Sequence, residues 1–227
     1  MADGKTRTAA PIAPWAVAGR KYVVEAIGTF FLVFTVATSV LSGGAFTPLA
    51  AGAVLMVMIY AGGHISGGHY NPAVTVAVLL RGRIVLGEAI GYWISQLVAG
   101  VIAGLVANAI VAPPTVKTLH LSGHAFLAAA LVELLFTFAL AYVVLNVATS
   151  KDQPGNGFFG LAIGFTVAAG AFAVGGISGG VFNPAVALGG AAGGLFAWST
   201  VWIYLVVQVV AGAGAGFAFR ALNPDDK

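Results

Sequence analysis

The sequence predicts an all-α membrane protein: six transmembrane helices plus two re-entrant half-helices, built as inverted three-helix repeats. Three observations carry that prediction. The 227 residues are 59% hydrophobic and only 7% charged, against about 25% charged in an ordinary soluble domain. Water cannot be the solvent for most of such a surface, and disorder, which goes with a shortage of apolar residues, is excluded more firmly. Two stretches, 26–80 and 153–219, contain no Asp, Glu, Lys or Arg. A ten-residue motif also occurs twice.

Taken in order, the charges place the spans. One spanning helix takes roughly 20 residues, so each charge-free stretch is too long for one span and holds two plus a shorter piece. Internal punctuation then gives spans near 21–42, 48–65, 85–111, 125–149, 157–176 and 196–219. Residues 1–20 read as a short polar tail without a removable signal, and 221–227 as a second tail. The domain between them, 21–220, comprises repeat one, about 21–111, and repeat two, about 125–220.

Orientation follows from the positive residues. With both termini cytoplasmic, Lys5, Arg7, Arg20, Lys21, Arg81, Arg83, Lys151, Arg220 and Lys227 lie inside and only Lys117 outside, a strong positive-inside signal. The chain has no Cys, which excludes disulfides, thiolate metal sites and a Cys nucleophile. A formal charge of +3 is too small and scattered for a nucleic-acid partner. Of the 32 glycines, Gly87/Gly91, Gly100/Gly104, Gly160/Gly164 and Gly212/Gly216 are spaced by four within spans, which favours close helix approach.

The repeat is explicit. Ile65-Ser66-Gly67-Gly68-His69-Tyr70-Asn71-Pro72-Ala73-Val74 returns as Ile177-Ser178-Gly179-Gly180-Val181-Phe182-Asn183-Pro184-Ala185-Val186, 112 residues later. Glu25-x-x-x-Thr29-x-x-Leu32 returns as Glu133-x-x-x-Thr137-x-x-Leu140, 108 residues later. Matched patterns in matched order mean a duplicated unit. Each unit holds three spans, so the second enters from the opposite side and a pseudo-twofold axis lies in the membrane plane.

After each Asn-Pro-Ala the apolar run is too short to span. It is ended by Arg81 in one repeat and near Gly189-Gly190 in the other. Asn as a cap and Pro in the first turn start a helix, so both runs read as half-helices. The Ser-Gly-Gly segments before them are irregular backbone, tolerated at membrane depth only when buried or lining a wet cavity. Inversion aims the two half-helices at one point near the midplane. Their N-termini carry unpaired N–H groups and a partial positive charge, which repels cations, and Asn71 and Asn183 each offer an amide donor.

Two Asn-Pro-Ala boxes on inverted repeats, with Glu-x-x-x-Thr-x-x-Leu in the first helix of each, resemble the aquaporin, or major intrinsic protein, family. The resemblance covers about 21–220. It implies a six-helix pore per subunit, usually four subunits, and passive flow of water or small neutral solutes, with no cofactor. It further implies that Asn71, Pro72, Ala73, Asn183, Pro184 and Ala185 form the pore motifs. Gly67, Gly68, His69, Gly179, Gly180 and Val181 would line the pore with carbonyl oxygens. Glu25 and Glu133, intramembrane carboxylates and so functional candidates by default, would brace the re-entrant loops.

One departure stands out. Typical members continue the second box as Asn-Pro-Ala-Arg, an electrostatic barrier at the outer constriction; here Val186 takes that place. The resemblance puts the remaining selectivity-filter positions at Ala51, Ala171 and Gly180. Such a filter is small-walled, apolar and uncharged. It should be wider than a strict water filter unless Phe172, Phe46 or Phe182 swings in, and cation exclusion should rest on the midplane dipoles alone.

The remaining polar residues read more plainly. Glu88, close to Arg81 and Arg83 in sequence, suits an interfacial ion pair. His64 is a loop residue with a lesser case for a pH-sensitive gate. His120 and His124 belong to the outer loop with Lys117, too few for a metal site. Enzyme activity is not expected. A secondary transporter would need an unpaired intramembrane carboxylate, and a non-conducting scaffold would have no use for two intact boxes. Compact loops suit a bacterial inner membrane. Glycerol, urea, hydrogen peroxide, ammonia and neutral metalloid acids all remain open as solutes besides water.

Overall fold

The computed structural model describes residues 14–111 and 117–226, and all its regular elements are helical. They are α1 (Pro14–Leu41), α2 (Thr47–Ser66), α3 (Pro72–Arg81), α4 (Leu86–Ile110), α5 (Gly123–Val144) with a π turn (Leu145–Thr149), α6 (Phe159–Ser178), α7 (Pro184–Ala192) and α8 (Trp198–Leu222). Six are long and apolar enough to cross a membrane. The helices α3 and α7, ten and nine residues long, are not. They are the two half-helices, the second running slightly past Gly189-Gly190.

The spans lie close to their predicted positions, with one difference at the start. Helix α1 begins at Pro14, inside the stretch expected as tail, because proline's fixed φ suits a first helical turn. Residues 1–13, with Lys5 and Arg7, lie outside the described residues.

Each half-helix packs on the last span of the other repeat: α3 on α8, and α7 on α4. Glycine makes this seat possible. A Cβ on Gly100 would come within 2.6 Å of the Ala185 carbonyl oxygen, and one on Gly104 within 1.9 Å of that of Gly189. On α8, a Cβ on Gly212 would lie 2.2 Å from the Ala73 oxygen, and one on Gly216 would lie 2.8 Å from the Leu80 Cβ. The absent side chains let the backbones touch. Gly52 and Gly164 do the same where α2 crosses α6, each Cβ falling 2.4 Å from the other's carbonyl oxygen. Gly87 faces open space, so its pairing with Gly91 is not a packing device.

The perimeter is apolar. Ile94, Leu127, Leu131, Phe165 and Trp202 are more than half exposed, an arrangement that suits lipid as solvent. One face of the bundle carries Arg81, Arg83, Lys151 and a network around Asp226; we call it the basic face. The opposite face carries Lys117, His120 and His124. On the basic face Arg81 donates to Asp226 and lies over the Phe219 ring, 4.5 Å from its centroid. Arg83 reaches the same carboxylate at 3.3 Å, and the Lys151 amide donates to it at 2.9 Å. The expected ion pair of Glu88 does form, but with Lys21 at 2.6 Å, since Asp226 already occupies Arg81 and Arg83.

Candidate functional site

The two re-entrant loops meet at the centre of the bundle, built alike. Gly67 and Gly179 end α2 and α6 in left-handed conformations, φ +90° and +94°. The chain then turns back through Tyr70 and Phe182, the only non-glycine residues with positive φ among those described, at +47° and +49°. Asn71 and Asn183 cap the half-helices, their side-chain oxygens accepting from the amides of Ala73 and Ala185 at 2.9 Å.

A buried carboxylate holds each loop. Glu25 accepts from the Ser66 hydroxyl at 2.6 Å, the amides of His69 and Tyr70 at 3.0 and 2.7 Å, and Gln96 Nε2 at 2.8 Å. Glu133 repeats the set with Ser178, Val181, Phe182 and Gln208, at 2.6, 2.9, 2.7 and 2.9 Å. An ionised carboxylate can only accept hydrogen bonds, and four donors converge on each. The tyrosines Tyr92 and Tyr204 donate to the carbonyls of Ser66 and Ser178. Neither carboxylate is therefore unpaired, and a coupling role finds no free group there.

Sequence reading quoted Ser66 and Ser178 only as part of the repeated motif and passed over Gln96, Gln208, Tyr92 and Tyr204. The signal was available. Tyr92-x-x-x-Gln96-x-x-x-Gly100-x-x-x-Gly104 returns 112 residues later as Tyr204-x-x-x-Gln208-x-x-x-Gly212-x-x-x-Gly216, the same separation as the boxes. The repeats differ at Tyr70, whose hydroxyl donates to the Met58 carbonyl at 3.0 Å where repeat two has Phe182, and at His69 and Thr75. His69 Nδ1 lies 3.0 Å from the Thr75 hydroxyl, which also takes Gln96 Nε2 at 3.1 Å. Repeat two has Val181 and Ala187 at those places.

Two cavities approach this centre from opposite faces. The larger-walled one, about 370 Å³, is lined by Asn71 and Asn183 at its depth and by Lys117 towards its mouth. The other, about 390 Å³, opens on the basic face beside Arg83, Glu88 and Thr149. His69 and Val144 line both, so the two spaces approach each other at these side chains.

The structure brings Ala51, Ala171, Gly180 and Val186 to the first cavity. Gly180 and Ala171 are in direct contact, since a Cβ on Gly180 would lie 2.9 Å from the Ala171 Cα. Of the loop residues, Gly68, His69, Gly179, Gly180 and Val181 line the first cavity and Gly67 the second. Pro72, Ala73, Pro184 and Ala185 line neither. They are buried where each half-helix packs on the opposite repeat.

The aromatic wall differs from expectation. Phe182 is 1% exposed and packs on Phe136 with centroids 5.4 Å apart, Phe46 is 74% exposed, and only Phe172 of the three lines the cavity. The ring that closes its wall is Phe196, which sequence reading did not single out. It lies where the side chains of Gly179 and Gly190 would be, 2.9 and 2.4 Å from their ideal Cβ positions, and packs against Tyr204 in a tilted pair with centroids 5.5 Å apart. Nothing local marks it in the sequence; the two glycines that admit it lie 17 and 6 residues away. His64, His120 and His124 line neither cavity.

Comparison with known proteins agrees with this fold. The family profile described as Major intrinsic protein matches residues 14–219. The chain is 39% identical over 223 residues to glycerol uptake facilitator protein-like 6 of Lactiplantibacillus plantarum, covering 91% of this chain and 100% of that one. It is 39% identical over 144 residues to aquaporin TIP1-1 of Arabidopsis thaliana, a match spanning 61% of this chain and 56% of that protein. The fold matches the X-ray structure of the aquaglyceroporin from Plasmodium falciparum with a TM-score of 0.74 at 21% identity, over 89% of this chain and 95% of that one.

Proposed function

The chain belongs to the major intrinsic protein family, and from that premise we propose the path, filter and setting of the channel. It is a passive channel for water and small neutral solutes. The observation that carries the finer reading is a pair of cavities from opposite faces that share His69 and Val144 in their walls, with Asn71 and Asn183 lining the first and no Lys, Arg, Asp or Glu among the shared residues.

The mechanism follows from the donors. Each asparagine amide uses one hydrogen on the opposite loop, Asn71 to the Phe182 carbonyl and Asn183 to that of Tyr70, both at 2.9 Å. One hydrogen per amide remains for the lumen. A water between them accepts both bonds with its oxygen, so its own hydrogens point outwards along the pore. Such a water cannot pass a proton onward in one direction. The half-helix N-termini add a positive partial charge that opposes cations. Loop carbonyls from Gly67 to His69 and Gly179 to Val181 accept from solute hydrogens on either side.

Ala51, Ala171, Gly180 and Val186 serve as the filter, apolar and small, with Phe196 and Phe172 as its aromatic wall. A polar molecule finds few donors there to replace its hydration, so width decides passage more than hydrogen bonding. This favours solutes larger than water. The similarity to a bacterial protein named as a glycerol uptake facilitator supports the same direction. The setting that fits is a bacterial inner membrane, with the basic face and both termini cytoplasmic, lipid around the apolar perimeter, and a homotetramer. The protein is a channel and not an enzyme.

Stopped-flow light scattering on proteoliposomes tests this. An impermeant osmolyte should give fast shrinkage, and glycerol or urea fast shrinkage then fast re-swelling. Shrinkage without re-swelling means a water-only filter. Shrinkage no faster than in empty vesicles, with folded protein, overturns the channel reading.

A further inference from the structure

The filter lacks its arginine, yet the cavity above it is not without charge. Lys117 lines that cavity. Among the described residues it is the only Lys or Arg on the face opposite the basic one, and that face carries no Asp or Glu, Glu25 and Glu133 being buried within the bundle. Lys117 makes no ion pair among the described residues. Its charge is therefore uncancelled among the described residues, at the mouth of a passage whose lining holds no other Lys, Arg, Asp or Glu.

Its position is fixed by the backbone. The segment 117–119 is zipped to the chain leaving α7. Thr118 Oγ1 donates to the Gly194 carbonyl at 2.8 Å, the Leu119 amide to that of Leu195 at 2.8 Å, and the Ala197 amide to that of Leu119 at 3.1 Å. Leu119 and Phe196 form a parallel bridge, so the segment that carries Lys117 is tied to the one that carries the Phe196 wall.

We propose that Lys117 is a specificity-determining residue that repels cations at this mouth, standing in for the missing filter arginine from a different element of the chain. Cation exclusion then has two layers, Lys117 at the mouth and the half-helix termini at the midplane. An exposed charge acts through screened Coulomb forces. Its range is about 10 Å at 0.1 M salt and about 3 Å at 1 M, and low-dielectric walls focus it. A flexible ammonium also leaves the passage its full width, whereas a guanidinium in the wall narrows it. This inference rests on the channel reading above.

The chain has no native cysteine, which makes the test clean. Glycerol re-swelling and potassium current under an imposed potential are measured on the same full-length preparations. The variants are wild type, Lys117→Gln, Lys117→Glu and Lys117→Cys. Glycerol flux should stay near wild type in all of them. Potassium leak should rise in Lys117→Gln and further, on the order of tenfold, in Lys117→Glu, and the differences should shrink at 1 M salt. Aminoethyl thiosulfonate on Lys117→Cys restores an ammonium and should restore exclusion, while the neutral methyl reagent should not. Intact glycerol flux with equal potassium exclusion in every variant overturns the role of Lys117. Absence of glycerol and water flux in the wild type overturns the channel reading instead.

Discussion

The side-chain amide of Asn71 donates to the main-chain carbonyl of Phe182 at 2.9 Å, and Asn183 answers with an equal bond to Tyr70. Each re-entrant loop is thus pinned by the cap residue of the other. The carbonyls so held belong to the two non-glycine residues with positive φ among those described, a conformation that bulky side chains rarely adopt. The asparagines close the loops onto each other as well as facing the lumen.

Asn71→Leu and Asn183→Leu keep the shape but remove the cap and this cross-bond. Losing an N-cap costs about 1 kcal/mol, and orphaning a buried carbonyl adds about 1–3 kcal/mol. Both variants should melt earlier in detergent by a margin matching about 2–4 kcal/mol. A melting temperature equal to wild type would mean the cross-bonds contribute nothing to the fold.

Glycine substitutions should sort by what faces them. Gly104→Ala drives a methyl within 1.9 Å of the Gly189 oxygen, backbone that cannot move without displacing α7. It should fail to give folded protein, or lose flux if it folds. Gly87→Ala meets nothing within 4 Å and lies in the first turn of α4. It should be neutral or stabilising, by up to about 1 kcal/mol. Folded yield and melting temperature check both, and equal behaviour would refute the packing argument.

These contrasts show where the sequence was legible. Spans, repeats and half-helices could be read because lipid forbids charge and because duplication prints each signal twice. Glu25 and Glu133 stood out for the same reason. Their partners Gln96 and Gln208 did not, although they recur at the box separation, because a neutral amide in a membrane helix violates no rule. Phe196 was beyond reach: what places it is empty space at Gly179 and Gly190, and empty space is a property of the fold. Asp226 lay in a presumed tail, where a carboxylate is ordinarily solvated.

Val186→Arg tests the width of the filter. Val186 is 7% exposed and lines the cavity with Ala51, Ala171 and Gly180. A guanidinium there should cut glycerol re-swelling by at least about tenfold, the scale on which a pocket rejects an oversized solute, and leave water flux nearer wild type. Stopped-flow scattering reads both rates in one preparation. Unchanged glycerol flux would remove Val186 from the conducting path.

The Asp226 network sets the last prediction. Its side chain is 1% exposed. Burial by itself would raise its carboxyl pKa. The Lys151 amide and the Arg81 guanidinium outweigh that and hold it below the usual range. A carboxylate with a depressed folded-state pKa stabilises fully above its ordinary value, about 3.9, and that stabilisation is lost only as pH falls through the lower folded value. Asp226 joins the segment after α8 to Arg81 at the end of α3 and to Lys151 beyond the π turn, whose Thr149 lines the cavity on the basic face. A fluorophore on Asp225→Cys, a position whose side chain makes no hydrogen bond in this network, should report an immobile tail from pH 7 to 5 by anisotropy. The tail should loosen only below the ordinary aspartate range. Adding Asp226→Asn should loosen it at neutral pH, because the neutral amide loses the attraction to both guanidiniums and its nitrogen cannot accept from the Lys151 amide. Release at pH 5 in the otherwise unmodified chain, or a tail still immobile with Asp226→Asn, would show that something other than this carboxylate docks it.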